Sequence, residues 1–220
     1  DYYPIDQVPD DSYKILEWIA YDNDSFSAQP TPGWSGFCDV DSNETNRTKI
    51  STPGSNLADT TIIIGNLGGD ITDAAIIFGG HEYSPIKNYI ADCMGFTDST
   101  CSSPVSETSA TSITISDDNA KVITDQYKLA WSAYAIVPTA VTGSTRGLNG
   151  TVYDLALHYN YQPWKDEKYD DDTTSSSTLV TNVVSFRFIG KGDTVRFKIC
   201  VAESIGDSSI TSCKEKAVIR

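Results

Sequence analysis

Long apolar runs are missing from this chain: no stretch of 18 consecutive apolar residues occurs, which excludes a membrane-spanning helix within it. Histidine is nearly missing too, with only His81 and His158. Nucleophilic catalysis needs a base held against a nucleophile, and His is the usual base near neutral pH. Neither His is accompanied by a Gly-x-Ser-x-Gly elbow, so no catalytic residue is assigned and the chain is read as non-enzymatic. No Cys-x-x-Cys occurs, which argues against a zinc site, and glycine-rich phosphate loops and dinucleotide fingerprints are absent. Positive charge is scarce: 16 Lys and Arg stand against 30 Asp and Glu, for a net charge of −14 and a pI near 4.3. Such a surface repels phosphate backbones and anionic membranes, so direct nucleic-acid binding by the bulk surface is not expected.

What is present describes a folded, β-rich chain. At 220 residues, with 39% hydrophobic and 21% charged residues, it can bury a sizeable core. We read residues 1–220 as one domain: a helical stub over 1–25, a loop-rich insertion with short strands over 27–125, and an antiparallel meander over 126–220. Five cysteines in an acidic, Ser/Thr-rich chain point to an oxidising compartment, periplasmic or extracellular.

Asp10 to Ala20 opens with capping residues and places Ile15, Trp18 and Ile19 at helical spacing, which predicts a short helix. Residues 27–60 are rich in Pro, Gly, Ser, Asn and Asp and predict an irregular excursion pinned by Trp34 and Phe37. Thr60–Ile64 and Ala74–Phe78, bounded by glycines, read as buried strands, residues 81–110 as loop, and Thr111–Ile115 as a strand. From Tyr127 onward five strands are expected, over 127–137, 152–161, 180–189, 194–202 and 209–219. The acidic then Ser/Thr-rich connection 165–177 reads as a mobile loop. His158 falls on the face opposite Leu155 and Leu157, which points it to solvent.

The last strands carry the sharpest expectation. Val195, Phe197, Ile199 and Val201 alternate with Arg196, Lys198 and Cys200, which predicts a core-facing wall and an outward face. Gly206-Asp207 suits a two-residue hairpin turn. Cys200 stands six residues before Gly206 and Cys213 six after Asp207, so the two are directly opposed at a non-hydrogen-bonded site. A cross-strand disulfide Cys200–Cys213 is predicted. Cys93 and Cys101 bracket a short loop and form the second expected bridge, leaving Cys38 unpaired. Arg187, Lys191, Arg196, Lys198, Lys214 and Lys216 gather in these strands and read as a solvated face that discourages edge pairing.

Other chemistry has weak support. Paired carboxylates could hydrolyse glycosides, but with 30 acidic residues some pair always lies at a suitable separation. Asp39, Asp41 and Asn43 place oxygen side chains at every second position, the spacing of a calcium loop, although Asx turns are the commoner use of such a cluster. No other cofactor is expected. Trp34, Trp131, Trp164 and the tyrosines could form stacking platforms of a secreted carbohydrate-binding or adhesin module, although most such aromatics are core residues.

A resemblance rests on several of these segments. Asn182-Val-Val-Ser-Phe-Arg-Phe188, Arg196-Phe-Lys-Ile-Cys200 and Cys213-Lys-Glu-Lys216 resemble the C-terminal domain of minor pilins and minor type II secretion pseudopilins of the J or W kind. Leu16-Glu-Trp-Ile19, Tyr21-Asp-Asn-Asp-Ser-Phe26, Pro32-Gly-Trp-Ser-Gly-Phe37 and Tyr127-Lys-Leu-Ala-Trp-Ser-Ala-Tyr134 are similar to segments of that group. The resemblance implies an α+β, mostly β fold, with a short N-terminal helix packed on an antiparallel sheet head of one or two sheets. It further implies a hydrophobic helix ahead of Asp1, anchoring a precursor in the inner membrane. Its expected role is to help assemble the tip of a secretion, type IV pilus or DNA-uptake filament, with other minor subunits and secreted cargo as partners.

Overall fold

The computed structural model describes residues 14–79, 101–115, 122–191 and 194–219. Its strands are β1 (Leu16–Ala20), β2 (Lys49–Ser51), β3 (Ala75–Phe78), β4 (Ser103–Thr108), β5 (Ser112–Ile115), β6 (Tyr127–Ala130), β7 (Ser132–Thr142), β8 (Thr151–Tyr161), β9 (Ser175–Lys191), β10 (Thr194–Ile205) and β11 (Ser208–Ile219). Among the described residues two α-helices, α1 (Asn23–Phe26) and α2 (Leu57–Asn66), and three short 3-10 helices interrupt them. One antiparallel sheet runs β2-β5-β4-β3-β6, and a second runs β1-β7-β8-β9-β10-β11.

The five-stranded sheet is packed along one face and, around β3, on both. Strict alternation along β3 sends Ile76 and Phe78 into a cluster with Trp34, Ile50, Ile64, Ile113 and Leu129, while Ala75 and Ile77 meet Ala130 and Trp164 on the other side. Full burial of each large aliphatic or aromatic side chain is worth roughly 1.5–3 kcal/mol, so this double-sided layer is the main store of stability. A buried hydroxyl chain crosses it: the Tyr127 hydroxyl lies 2.7 Å from Thr52 Oγ1, which lies 2.8 Å from Ser55 Oγ, which accepts from the Ser35 N–H at 2.8 Å. Every buried oxygen in that chain is thereby satisfied, as burial demands.

The expected fold class is corrected at its helical part. Residues 10–13 lie outside the described residues, and Leu16–Ala20, expected as the end of a helix, is strand β1, in register with Ser132–Ile136 of β7. No short N-terminal helix packs on a sheet among the described residues: the only helix before residue 57 is the single turn α1. A five-residue apolar stretch carries too little periodicity to separate helix from strand, and pairing with β7 decides it. The converse holds at Thr60–Ile64, expected as a strand and found in α2. Leu57, Thr60 and Ile64 lie on its buried face, whereas Ile62 is 59% exposed. Helical spacing of the core contacts overrides the β propensity of a Thr-Thr-Ile-Ile-Ile run. After α2, the Gly69 N–H closes back on the Ile64 carbonyl at 3.0 Å, and a Cβ at Gly69 would stand 2.7 Å from the Trp131 ring. Only glycine allows that approach.

Ala75–Phe78 and Ser112–Ile115 are strands as expected, but Ser103–Thr108, read as loop, is β4. The expected strand 127–137 is two: Tyr127–Ala130 belongs to the five-stranded sheet and Ser132 starts β7 in the other, with buried Trp131 between them. From β7 to β11 the sheet is the expected meander. Trp34 pins the 27–60 excursion at 2% exposure, whereas Phe37 is exposed and holds through a backbone bridge to Gln126. The connection 165–177 is a set of closed turns, with Lys168 N–H on Asp171 Oδ2 at 2.7 Å and Thr174 Oγ1 on the Lys168 carbonyl at 2.8 Å, and Ser175 already lies in β9.

The final hairpin has the predicted register. Cys200 opposes Cys213 at a Cα separation of 4.0 Å and is bonded to it, and Gly206 turns with φ +61°. Its faces differ from expectation. Val195, Phe197, Ile199 and Val201 are only half-buried, while Cys200 and Ala202, on the face read as outward, are buried. Ala202 joins Leu148 and Val152 in a small cluster, so the wall that packs is the one of small residues.

Candidate functional site

The richest polar chemistry gathers at the β1 end of the six-stranded sheet. Successive residues of a strand point to opposite faces, so Glu17 and Trp18 part company. Trp18 opposes Tyr134 in the ladder and stacks on it, with ring centroids 5.7 Å apart and planes inclined by 18°. Past β1 the chain is tied down by the Asp22 N–H on the Leu129 carbonyl at 2.8 Å. Asp22 then caps α1, its Oδ1 accepting the Ser25 N–H at 3.1 Å. A hollow of about 380 Å³ opens there, lined by Tyr21, Asp22, Asp24, Trp131, Tyr134 and Tyr159 among others. Burial raises the Asp22 carboxyl above its ordinary range despite its bonds to Ser25. Asp22 Oδ2 has no hydrogen-bond partner among the described residues. Burial, with the charges of Asp24 and Asp22, also raises the Tyr134 phenol.

On the opposite face the Tyr161 hydroxyl donates to Glu17 Oε1 at 2.6 Å. Burial, opposed by that bond and reinforced by the charge of Asp170, pushes the Glu17 carboxyl up to about 7. Tyr169 packs against the cluster of Ala133, Ala135 and Tyr161, and its carbonyl lies 2.6 Å from His158 Nδ1. His158 is therefore half-buried and engaged, not turned to solvent as its strand position suggests, because the 166–172 turns fold over that face. Glu17 can hold a proton near neutrality, and it stands outside the hollow. The arrangement suits a structural proton shared with the Tyr161 hydroxyl.

The remaining sequence candidates disperse. Among the described residues no cluster of three or more His, Cys, Asp or Glu side chains is placed to hold a metal. Asp39 Oδ1 accepts the Asp41 N–H at 3.2 Å and the Asp39 carbonyl accepts Thr45 Oγ1 at 2.6 Å, so the Asp39, Asp41, Asn43 segment is built as Asx and hydroxyl turns. Cys101 is disulfide-bonded, and Cys93 and His81 lie outside the described residues. Cys38 is free and buried, and burial pushes its thiol up to about 11, which leaves it unreactive. The three nominated tryptophans are core residues, Trp34, Trp131 and Trp164 being 2%, 7% and 5% exposed.

Two features escaped the sequence. Glu17 and Tyr161 are 144 positions apart, and nothing local marks them as partners. The Trp18–Tyr134 stack depends on β1 being a strand, which the helical reading obscured.

A separate candidate surface lies at the far end of the same sheet. β11 is exposed at all twelve residues and has a strand neighbour, β10, on one side only among the described residues. The basic side chains expected in the last strands are distributed over both faces there: Arg187 opposes Lys198, while Lys216 opposes Phe197 and Lys214 opposes Ile199. Compared with protein-family models, with curated proteins and with solved structures, the chain gives no match.

Proposed function

We propose that this chain is a non-enzymatic subunit that acts through protein–protein contacts, as a minor pseudopilin or minor pilin head does when it helps build the tip of a secretion, pilus or DNA-uptake filament. The observation that carries the reading is the clamped terminal hairpin. Cys200–Cys213 fixes β10 against a β11 whose outer edge is open among the described residues, on the segments where the resemblance is densest. An exposed strand edge recognises a partner through its backbone N–H and C=O groups, with alternate side chains adding selectivity. In that role the subunit works outside the inner membrane, in the periplasm or beyond, and secreted cargo is a further partner. Capture of small sibling subunits encoded beside it, using the chain as bait, tests the reading. Retention of one or more siblings is the expected result; retention of none overturns it.

A second reading, a secreted carbohydrate-binding or adhesin module, draws on the hollow near β1, where tyrosine rings and the Asp22 and Asp24 carboxylates share one concave surface. Aromatic faces stack on sugar rings and carboxylates accept from hydroxyls. Titration with neutral oligosaccharides, with and without Tyr21→Ala, separates the two: heat that vanishes in the variant supports this second reading, and no heat removes it.

A further inference from the structure

We propose that copies of this chain associate edge to edge, β11 of one copy extending the six-stranded sheet of the next at β1. The inference rests on the reading of the chain as an assembling subunit and names one partner, a second copy.

Both edges of this sheet are open among the described residues. Ladder geometry turns the N–H and C=O of every second residue of an edge strand outward. Long open edges are normally blunted by proline, a bulge, brevity or charged side chains, lysine above all. β11 has only the last of these, in Lys214, Glu215 and Lys216: its twelve residues pair with β10 without a register break, and a disulfide joins the two strands. Exposed Ile210 and Val218 add apolar surface along the strand.

Charge selects the occupant. From Leu179 to the C-terminus the chain carries seven of its sixteen basic residues and only four of its thirty acidic ones. β11 itself carries Lys214 and Lys216 against Glu215, a net positive strand, so two β11 edges repel each other. At the β1 end the balance is reversed: Lys14 precedes the strand, but the 166–172 turns folded over the Glu17 face carry five acidic residues against Lys168, and Asp24 follows just after the strand. Opposite charge at the two ends of one sheet favours β11 against β1 and penalises β11 against β11. Such a contact joins two different surfaces and leaves one of each free, so it propagates instead of stopping at a dimer. With five residues in β1, each junction is short and the association is concentration-dependent.

Sedimentation of the full 220-residue chain over a range of protein and salt concentrations tests this. The expected result is an average mass that rises past the dimer at low salt and falls toward the monomer as salt screens the charges. Ala217→Pro, which removes an outward N–H without touching the β10 ladder, is expected to weaken association roughly tenfold or more at unchanged melting temperature. Should that variant unfold, the pair Lys214→Glu and Lys216→Glu serves instead. It should stay monomeric alone and associate when mixed with Asp170→Lys and Asp171→Lys. A wild-type chain that is monomeric throughout, a dimer that grows no further, or association indifferent to both sets of variants overturns the inference. A monomeric chain that still captures sibling subunits sinks this inference alone, and one that captures none sinks the assembly reading with it.

Discussion

The two sheets of this protein share one chain and one strand chemistry and do opposite things with them. The five-stranded sheet is buried along one face and, around β3, on both, and irregular chain occupies both its edges: the Tyr127 N–H reaches the Gly36 carbonyl beside β6, and the Asp39 N–H reaches the Ser51 carbonyl beside β2. The six-stranded sheet has long strands, small clusters on its faces and free edges among the described residues. Stability is concentrated in the first and presentable surface in the second. The same residue types, Ile, Val and Phe, are core in one place and half-exposed in the other, so burial and not composition tells the roles apart.

The contrast can be broken by substitution. Trp34→Ala, in the large core, is expected to cost about 3–5 kcal/mol by denaturant unfolding, whereas Phe197→Ala, on the half-buried face of β10, costs less than about 1.5 kcal/mol. Equal costs would erase the distinction. Removing the disulfide by Cys200→Ala with Cys213→Ala frees a closed loop between positions 13 apart and should lower the local stability of β10 and β11 by about 3 kcal/mol, leaving amide exchange in β3 and β4 unchanged. Acceleration in both sheets would show that they unfold together.

Proton linkage sharpens the picture at β1. Glu17 has its folded pKa raised from 4.5 to about 7, so the folded state holds the proton more tightly than the unfolded one. Stability from this group is therefore constant below about pH 4.5, falls as pH rises from there to about 7, and levels off above it, by an amount of order 1–3 kcal/mol. Glu17→Gln should flatten that slope and raise the melting temperature at pH 8; an unchanged slope would locate the linkage elsewhere. The smallest effect is expected at the basic edge: Lys214→Ala and Lys216→Ala should each shift stability by less than about 0.5 kcal/mol while weakening self-association. A larger loss would give these side chains a packing role.

Much of the second sheet was legible in the sequence. A two-residue turn fixes a hairpin register, and register alone placed Cys200 opposite Cys213. What misled was assigning faces: alternation separates the two sides of β10 but does not say which side meets the body, and Ala202 with Cys200 wins that place over the bulkier Phe197. Local pattern also failed at Leu16–Ala20 and Thr60–Ile64, where short apolar runs took their form from distant partners. The hollow and the Glu17–Tyr161 bond were out of reach for the same reason, since both are made by strands far apart in the chain.

Residue-resolved amide exchange on the dilute monomer is the most direct test of the difference between the two sheets. The account predicts slow exchange throughout β3 and β4, and in β11 an alternation in which the amides of Thr211, Glu215 and Ala217 exchange far faster than those of Ser212, Lys214 and Lys216. Uniformly slow exchange along β11 would mean that its outer edge is already occupied within the single chain, and would contradict an open edge held ready for a partner.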